Sequence, residues 1–154
     1  MRTRVEARLA ELGLSLPAAA TPLANYVPWR LSGHLLFIAG QLPMRDGSVA
    51  ITGKLGAEVS VEQGQEAARL CALMILAQAR AATGDLDRVR RCLELGVFVA
   101  CTPDFTEHPK VANGASDLLV EVLGEAGRHS RFAVGVPSLP FDAAVEIRAT
   151  FEIA

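Results

Sequence analysis

Arg131-Phe-Ala-Val-Gly-Val-Pro-Ser-Leu-Pro-Phe-Asp-Ala-Ala-Val-Glu146 sets the architecture of the last quarter of this chain. Two β-type runs flank a link bracketed by Pro137 and Pro140, one run opening with a guanidinium and the other carrying a carboxylate. A simple hairpin would set Arg131 and Glu146 almost opposite one another. The prolines and the long link equally permit the last strand to insert elsewhere in a sheet. Val145, Ile147, Ala149, Phe151 and Ile153 alternate with Glu146, Arg148, Thr150 and Glu152, the period of a strand with one face on a core. A fixed guanidinium holds a small carboxylate through two parallel hydrogen bonds, and a nearby glutamate positions or deprotonates a water. The pair predicts capture of a small acid and attack on it by water.

Upstream, His34-Leu-Leu-Phe-Ile-Ala-Gly40 is a short, continuous apolar run and reads as a buried strand. Tyr26–Trp29 reads as the start of an earlier strand, Asp46-Gly47 as a turn, and Ser48–Thr52 as a short returning strand. Ser60-Val-Glu-Gln63 has the form of a capping box. It opens a helix to about Ala82, with Ala67, Leu70, Cys71, Met74, Ala77 and Ala81 on one face and Gly84 placed to end it. Asp85–Arg90 adds a helical turn, and Leu93–Cys101 is a second buried strand. Thr102–Pro109 reads as a loop, followed by a helix over Ala112–Leu123 broken by Gly124 and Gly127, and by a strand over Phe132–Val136. Residues 3–12 form a short amphipathic helix, and Leu14–Pro22 a linker that lays it over the body. The expected division is a helix and linker over 1–20 and one domain over 21–154.

The element order is strands, helix, strand, helix, two strands, which is an α+β arrangement. Two helices on one face of a mixed sheet leave the other face in need of cover. The chain has 154 residues, 51% hydrophobic and 21% charged, enough for one core and unlike a disordered segment. A mean hydropathy of +0.29 fits apolar surface buried between subunits. A net charge of -2 and a pI near 5.9 argue against general nucleic-acid binding. Arg88, Arg90 and Arg91 read as a solvated helix end. Cys71, Cys92 and Cys101 lack metal-ligand spacing and read as buried thiols of a reducing compartment. The amino terminus has no secretory h-region, and the apolar stretch Leu70–Ala77 is far short of the ~20 residues of a membrane span. These features predict a cytoplasmic protein.

Tyr26, then Ile38-Ala-Gly-Gln-Leu-Pro43, then Asn113, then Arg131…Leu139-Pro140…Val145-Glu-Ile147 carry a resemblance to the Rid/YjgF family of reactive-intermediate deaminases, once described as endoribonucleases. The resemblance covers residue 20 to the end. It implies a chorismate-mutase-like α+β fold, a homotrimer with three intersubunit clefts, and hydrolysis of 2-imino or 2-amino-enoic acids to 2-keto acids and ammonia. It implies no metal and no organic cofactor. By resemblance, Arg131 clamps the substrate carboxylate, Glu146 orients the water, Tyr26 lines the cleft, Gly40 gives close backbone access and Asn113 adds a polar contact. Ala39 stands where many members have a serine, and Ala133 where many have a cysteine.

Each residue also has a plainer reading. Arg131 is an ordinary strand-end charge, and Glu146 an exposed residue of an alternating strand. Tyr26 is a packing residue near a prolyl turn, Gly40 a bulge, and Asn113 a helix cap. His129 reads as a loop residue beside Arg131. A small-carboxylate binder without turnover, motivated by Ala39 and Ala133, is the alternative function, and RNA cleavage the third.

Overall fold

The computed structural model describes residues 3–22 and 24–154. Its chain order is α1 (Arg4–Glu11), β1 (Trp29–Ser32), β2 (Leu35–Gln41), β3 (Met44–Arg45), β4 (Ser48–Val49), α2 (Val61–Thr83), β5 (Val89–Ala100), α3 (His108–Leu123), β6 (Ser130–Val136) and β7 (Val145–Ile153). β3 and β4 form a separate ribbon, and the other strands form one sheet in the order β1-β2-β7-β5-β6. The last strand inserts between β2 and β5, antiparallel to both, and does not fold back on β6. β5 and β6 run parallel, which requires a crossover, and α3 supplies it.

Alternation along the strands divides the sheet into two unlike faces. Val145, Ile147, Ala149, Phe151 and Ile153 of β7 join Leu36 and Ile38 of β2 and Leu95, Val97 and Val99 of β5 in a core under α2 and α3. The opposite face carries Leu35, Phe37, Phe98, Phe132 and Val134 with no helix or strand of the described residues over them, and all but Phe98 are exposed. Phe98 and Phe132 meet edge to face with centroids 5.5 Å apart. Both long helices therefore lie on one side of a mixed sheet, as the element order predicts.

Local signals explain the helix limits. Ser60 Oγ accepts from Gln63 N at 3.1 Å while Gln63 Oε1 accepts from Ser60 N at 2.8 Å, so the capping box forms in full. Gly84, at φ 74°, closes α2 in the left-handed region. α1 is tied down because Asp87 accepts from Arg4 N and Val5 N, each at 2.9 Å, and Val5 and Leu9 enter the main core. Those backbone donors, chiefly Val5 N–H, hold the Asp87 carboxyl below its ordinary range.

Several expectations are corrected. α3 starts at His108, a turn before Ala112, because Pro109 sits in the first turn where no N–H is needed. Asn113 therefore lies inside α3, and Glu107 occupies the cap position. β5 starts at Val89, so Arg90 and Arg91 are strand residues; Arg91 pairs with Glu152 at 3.2 Å across to β7. Arg88 does serve a helix end, its Nη1 donating to Thr83 O at 3.1 Å. Tyr26 lies in a bend before β1, and β4 stops at Val49, with Thr52 making only an isolated bridge to Ala143.

Candidate functional site

Arg131 is the second residue of β6 and pairs in register with Leu95, which pairs with Ala149. That register turns Arg131 toward the helices, together with Ala133. Asn113 and Ser116, three apart on α3, present their side chains on one helical face toward it. Arg131 Nη1 donates to Asn113 Oδ1 at 2.9 Å and to Ser116 Oγ at 3.1 Å, and Nη2 makes a long contact to Pro109 O at 3.5 Å. Both Nη1 protons are thus committed. Among the described residues no acceptor engages Nε–H, so the Nε/Nη2 edge offers two parallel donors to an incoming carboxylate.

The brace continues behind Ser116. His129 Nδ1 lies 2.6 Å from Gly127 O and must donate to it, since a carbonyl only accepts. In the neutral ring Nε2 is then an acceptor, and it takes the Ser116 hydroxyl proton at 2.8 Å. Burial pushes the His129 pKa down, and the Arg131 charge adds to that shift against the Gly127 hydrogen bond. A neutral imidazole, a hydroxyl and a guanidinium thus form one directional chain. Spacing from Asn113 identifies the face that Ser116 shares; nothing local in the sequence announces that His129 folds back onto it.

Glu146 belongs to a second half-site. It pairs in register with Phe98 and faces away from the helices, toward the side that Arg131 does not occupy. The β2–β7 register slips between Ile38 and Gln41, and Ala39-Gly40 lies in that slip. The Glu146 carboxylate packs on Gly40, and a Cβ at position 40 would fall on its Oε2 and lie 2.9 Å from Cδ. No salt bridge reaches Glu146 among the described residues. Burial raises its pKa above the ordinary 4.5, the direction that suits a carboxyl exchanging protons near neutral pH.

Gly40 also lines a cleft of about 800 Å³, together with Tyr26, Ala39, Gln41, Met74 and Phe141 among others. The Tyr26, Ala39 and Gly40 candidates are therefore together, next to Glu146, while Arg131, Asn113 and Ala133 are together elsewhere. One protomer does not bring the two groups into a single site. Phe141, at the mouth of the cleft, was not among the sequence candidates, because nothing in Pro-Phe-Asp signals the backbone it adopts.

A third group lies beyond Ala133 on β6. Cys101 Sγ and His108 Nε2 are 3.5 Å apart and cover Gly135. Cys71 and Cys92 are buried; burial pushes Cys71 well up, with the Glu146 charge adding to it, and raises Cys92 to about 12. Cys101 is half-buried, which corrects the expectation of three enclosed thiols. Among the described residues, no three His, Cys, Asp or Glu side chains cluster as metal ligands.

Known proteins share this arrangement of elements. Protein TCP17 of Trypanosoma cruzi is 55% identical over 151 residues, covering 97% of this chain and 94% of that protein. The crystal structure of Atu1372 from Agrobacterium tumefaciens is 54% identical, with TM-score 0.92 over 98% of this chain and 93% of that one. Escherichia coli TdcF, solved with bound serine, is 25% identical, with TM-score 0.65 over 88% of this chain and 94% of that one. The family model described as "YjgF/chorismate_mutase-like, putative endoribonuclease" matches residues 6–152. With nearly its whole length matched and the sheet and helices in place, this chain belongs to the YjgF/chorismate mutase-like family.

Proposed function

We propose that this protein is a cofactor-independent hydrolase of small 2-imino and 2-enamino acids, releasing 2-keto acids and ammonia. The observation that carries the proposal is Arg131, braced by Asn113 and Ser116 with its Nε/Nη2 edge left for a carboxylate. The serine bound to TdcF supports it, since serine carries the same carboxylate beside a nitrogen-bearing carbon. An enamine substrate first gains a proton on carbon and becomes an imine. Water, held and deprotonated by Glu146, adds to the imine carbon while the nitrogen takes a proton. The carbinolamine then expels ammonia as its hydroxyl proton leaves, and the C=O forms. One water is consumed for each ammonia released.

In this reading the protein is a cytoplasmic homotrimer, and Arg131 of one protomer completes the Tyr26–Gly40–Glu146 half-site of the next. Two features support assembly: the half-sites lie apart within one chain, and the helix-free sheet face exposes Leu35, Phe37, Phe132 and Val134. No helix among the described residues is long and apolar enough to cross a membrane.

The test mixes the protein with freshly generated 2-iminopropionate and follows keto-acid release. Acceleration by wild type and its loss in Arg131→Ala is the expected result; equal rates in the two proteins remove Arg131 from the mechanism. A second reading, a small-acid sensor without turnover, draws on Ala39 and Ala133, which offer no hydroxyl or thiol to the pocket. Saturable, Arg131-dependent binding of 2-keto acids without any acceleration of imine hydrolysis would decide for it.

A further inference from the structure

We infer that the cleft beside Gly40 is a side-chain subsite for large apolar, preferentially aromatic, groups, and that Phe141 and Tyr26 set this preference. The inference rests on the reading of Arg131 and Glu146 given above and names the class of acid that they serve.

The cleft is far larger than a three-carbon acid needs. Its volume of about 800 Å³ is in the range of pockets that enclose drug-sized ligands. Carbon dominates the walls through Pro22, Tyr26, Pro28, Met44, Met74 and Phe141. Gly40 is both part of the lining and the residue on which the Glu146 carboxylate packs, so a single residue links the apolar space to the group assigned to water. A substrate whose reacting carbon lies near Glu146 can extend its side chain into that space. The wall at Ala20 is fixed from beneath, because Gln78 Nε2 donates to Ala20 O at 2.7 Å.

Phe141 is the second, independent observation. It is 82% exposed, and Tyr26 is 60% exposed. Its φ is 56°, and Asp142 follows at 59°. A bulky side chain at positive φ is a genuine outlier, and strain of this kind persists only where surrounding bonds impose it. Those bonds are present: Gly53 N donates to Asp142 O at 2.9 Å, Ala143 N to Pro140 O at 3.1 Å, and Thr52 bridges Ala143. Strain and exposure both work against an aromatic residue here, yet the turn holds the ring at the mouth of an apolar cleft that Tyr26 also lines. Two rings around one apolar opening favour a planar guest through offset or edge contacts.

Calorimetry with pyruvate and phenylpyruvate, paired with hydrolysis of the imines generated from alanine and phenylalanine, tests the subsite. Wild type is expected to bind phenylpyruvate at least tenfold more tightly than pyruvate. Phe141→Ala should bring that ratio to within threefold of unity, while Arg131→Ala should weaken both acids. Phe141→Leu, which keeps bulk and apolarity but not the ring, should give an intermediate ratio and controls for misfolding, with circular dichroism as the check. Equal affinities in wild type, tighter pyruvate binding, failure of both acids to bind, or full discrimination by Phe141→Ala would each overturn the subsite. The two proposals fail separately: an aromatic preference without hydrolysis removes the hydrolase and keeps the subsite, whereas hydrolysis at equal rates does the reverse.

Discussion

Arg131 and Glu146 sit on opposite faces of one sheet, two strands apart, because β7 inserts between β2 and β5. Arg131 is aligned with Leu95 under α3, and Glu146 with Phe98 on the face without helices. With strands about 4.8 Å apart and about 3.3 Å per residue along them, a three-residue offset separates the two backbones by roughly 14 Å. The proposed chemistry therefore depends on a second copy of the chain. Mixing inactive Arg131→Ala with inactive Glu146→Gln should restore activity as mixed assemblies form. No recovery after co-refolding would mean that each site draws both residues from one protomer.

Ser116 should act through Arg131. Ser116→Ala removes one of two acceptors on Nη1, and a net hydrogen bond of about 1 kcal/mol corresponds to roughly a fivefold rise in KM with a smaller change in kcat. Ser116→Thr, which keeps the hydroxyl, should recover most of the loss. A kcat defect at unchanged KM would argue against a role in carboxylate capture. The His129 ring should titrate below its ordinary 6.5 when followed by NMR, and move upward in Ser116→Ala/Arg131→Ala, where the neighbouring positive charge is gone.

Under the proposed mechanism Glu146 should govern the acid side of the pH profile. Burial raises its pKa above 4.5, so the rate should climb through a pH higher than that of a free carboxylate, measured as kcat/KM against pH. The stability consequence has a definite sign. The folded state favours the protonated form, so this contribution is complete below the unfolded pKa and is lost as pH rises through the folded one. Glu146→Gln should accordingly keep or raise Tm at pH 7 relative to wild type, and lose that advantage at pH 4.

Gly40→Ala tests the contact beneath the carboxylate. An added Cβ would collide with Oε2, so the Glu146 side chain must swing away. Activity should fall at least tenfold while the circular dichroism spectrum and thermal unfolding change little. An active Gly40→Ala variant would show that Glu146 need not occupy this position.

Of the three thiols, Cys101 should react first. It is half-buried and 3.5 Å from His108 Nε2, whereas Cys71 and Cys92 are enclosed. A thiol-specific reagent on the native protein should label one equivalent, mapped to Cys101 by mass spectrometry, and denaturation should release the other two. Fast labelling of Cys71 or Cys92 would indicate opening of the core around α2 or β5.

Ser60→Ala should destabilise the protein by about 1 kcal/mol, read from the urea midpoint at constant slope, because Gln63 N–H in the first turn of α2 loses its acceptor, Ser60 Oγ.

Short-range chemistry was legible directly. The Ser60–Gln63 box, the Gly84 stop, the buried run through Ile38 and the alternation from Val145 to Ile153 each depend on neighbours within one turn or one pleat, so their residue types suffice to identify them. The limits of α3 and β5 were harder. Pro109 is compatible with both a loop and a first helical turn, and Arg90 and Arg91 suit either a helix end or an edge of a sheet facing water.

Residue order alone also supplied the candidate list, since Arg131, Asn113, Glu146, Tyr26 and Gly40 follow a recognisable series. Which of them meet was beyond its reach. The link from Val136 to Val145 is compatible with a hairpin or an insertion, and only long-range pairing of β7 with both β2 and β5 selects one. That selection sends Arg131 under α3, brings Glu146 to Gly40, and opens the space guarded by Phe141. The physical reason is that strand insertion is chosen by burying a whole apolar face at once, a property of the assembled sheet and of no single segment.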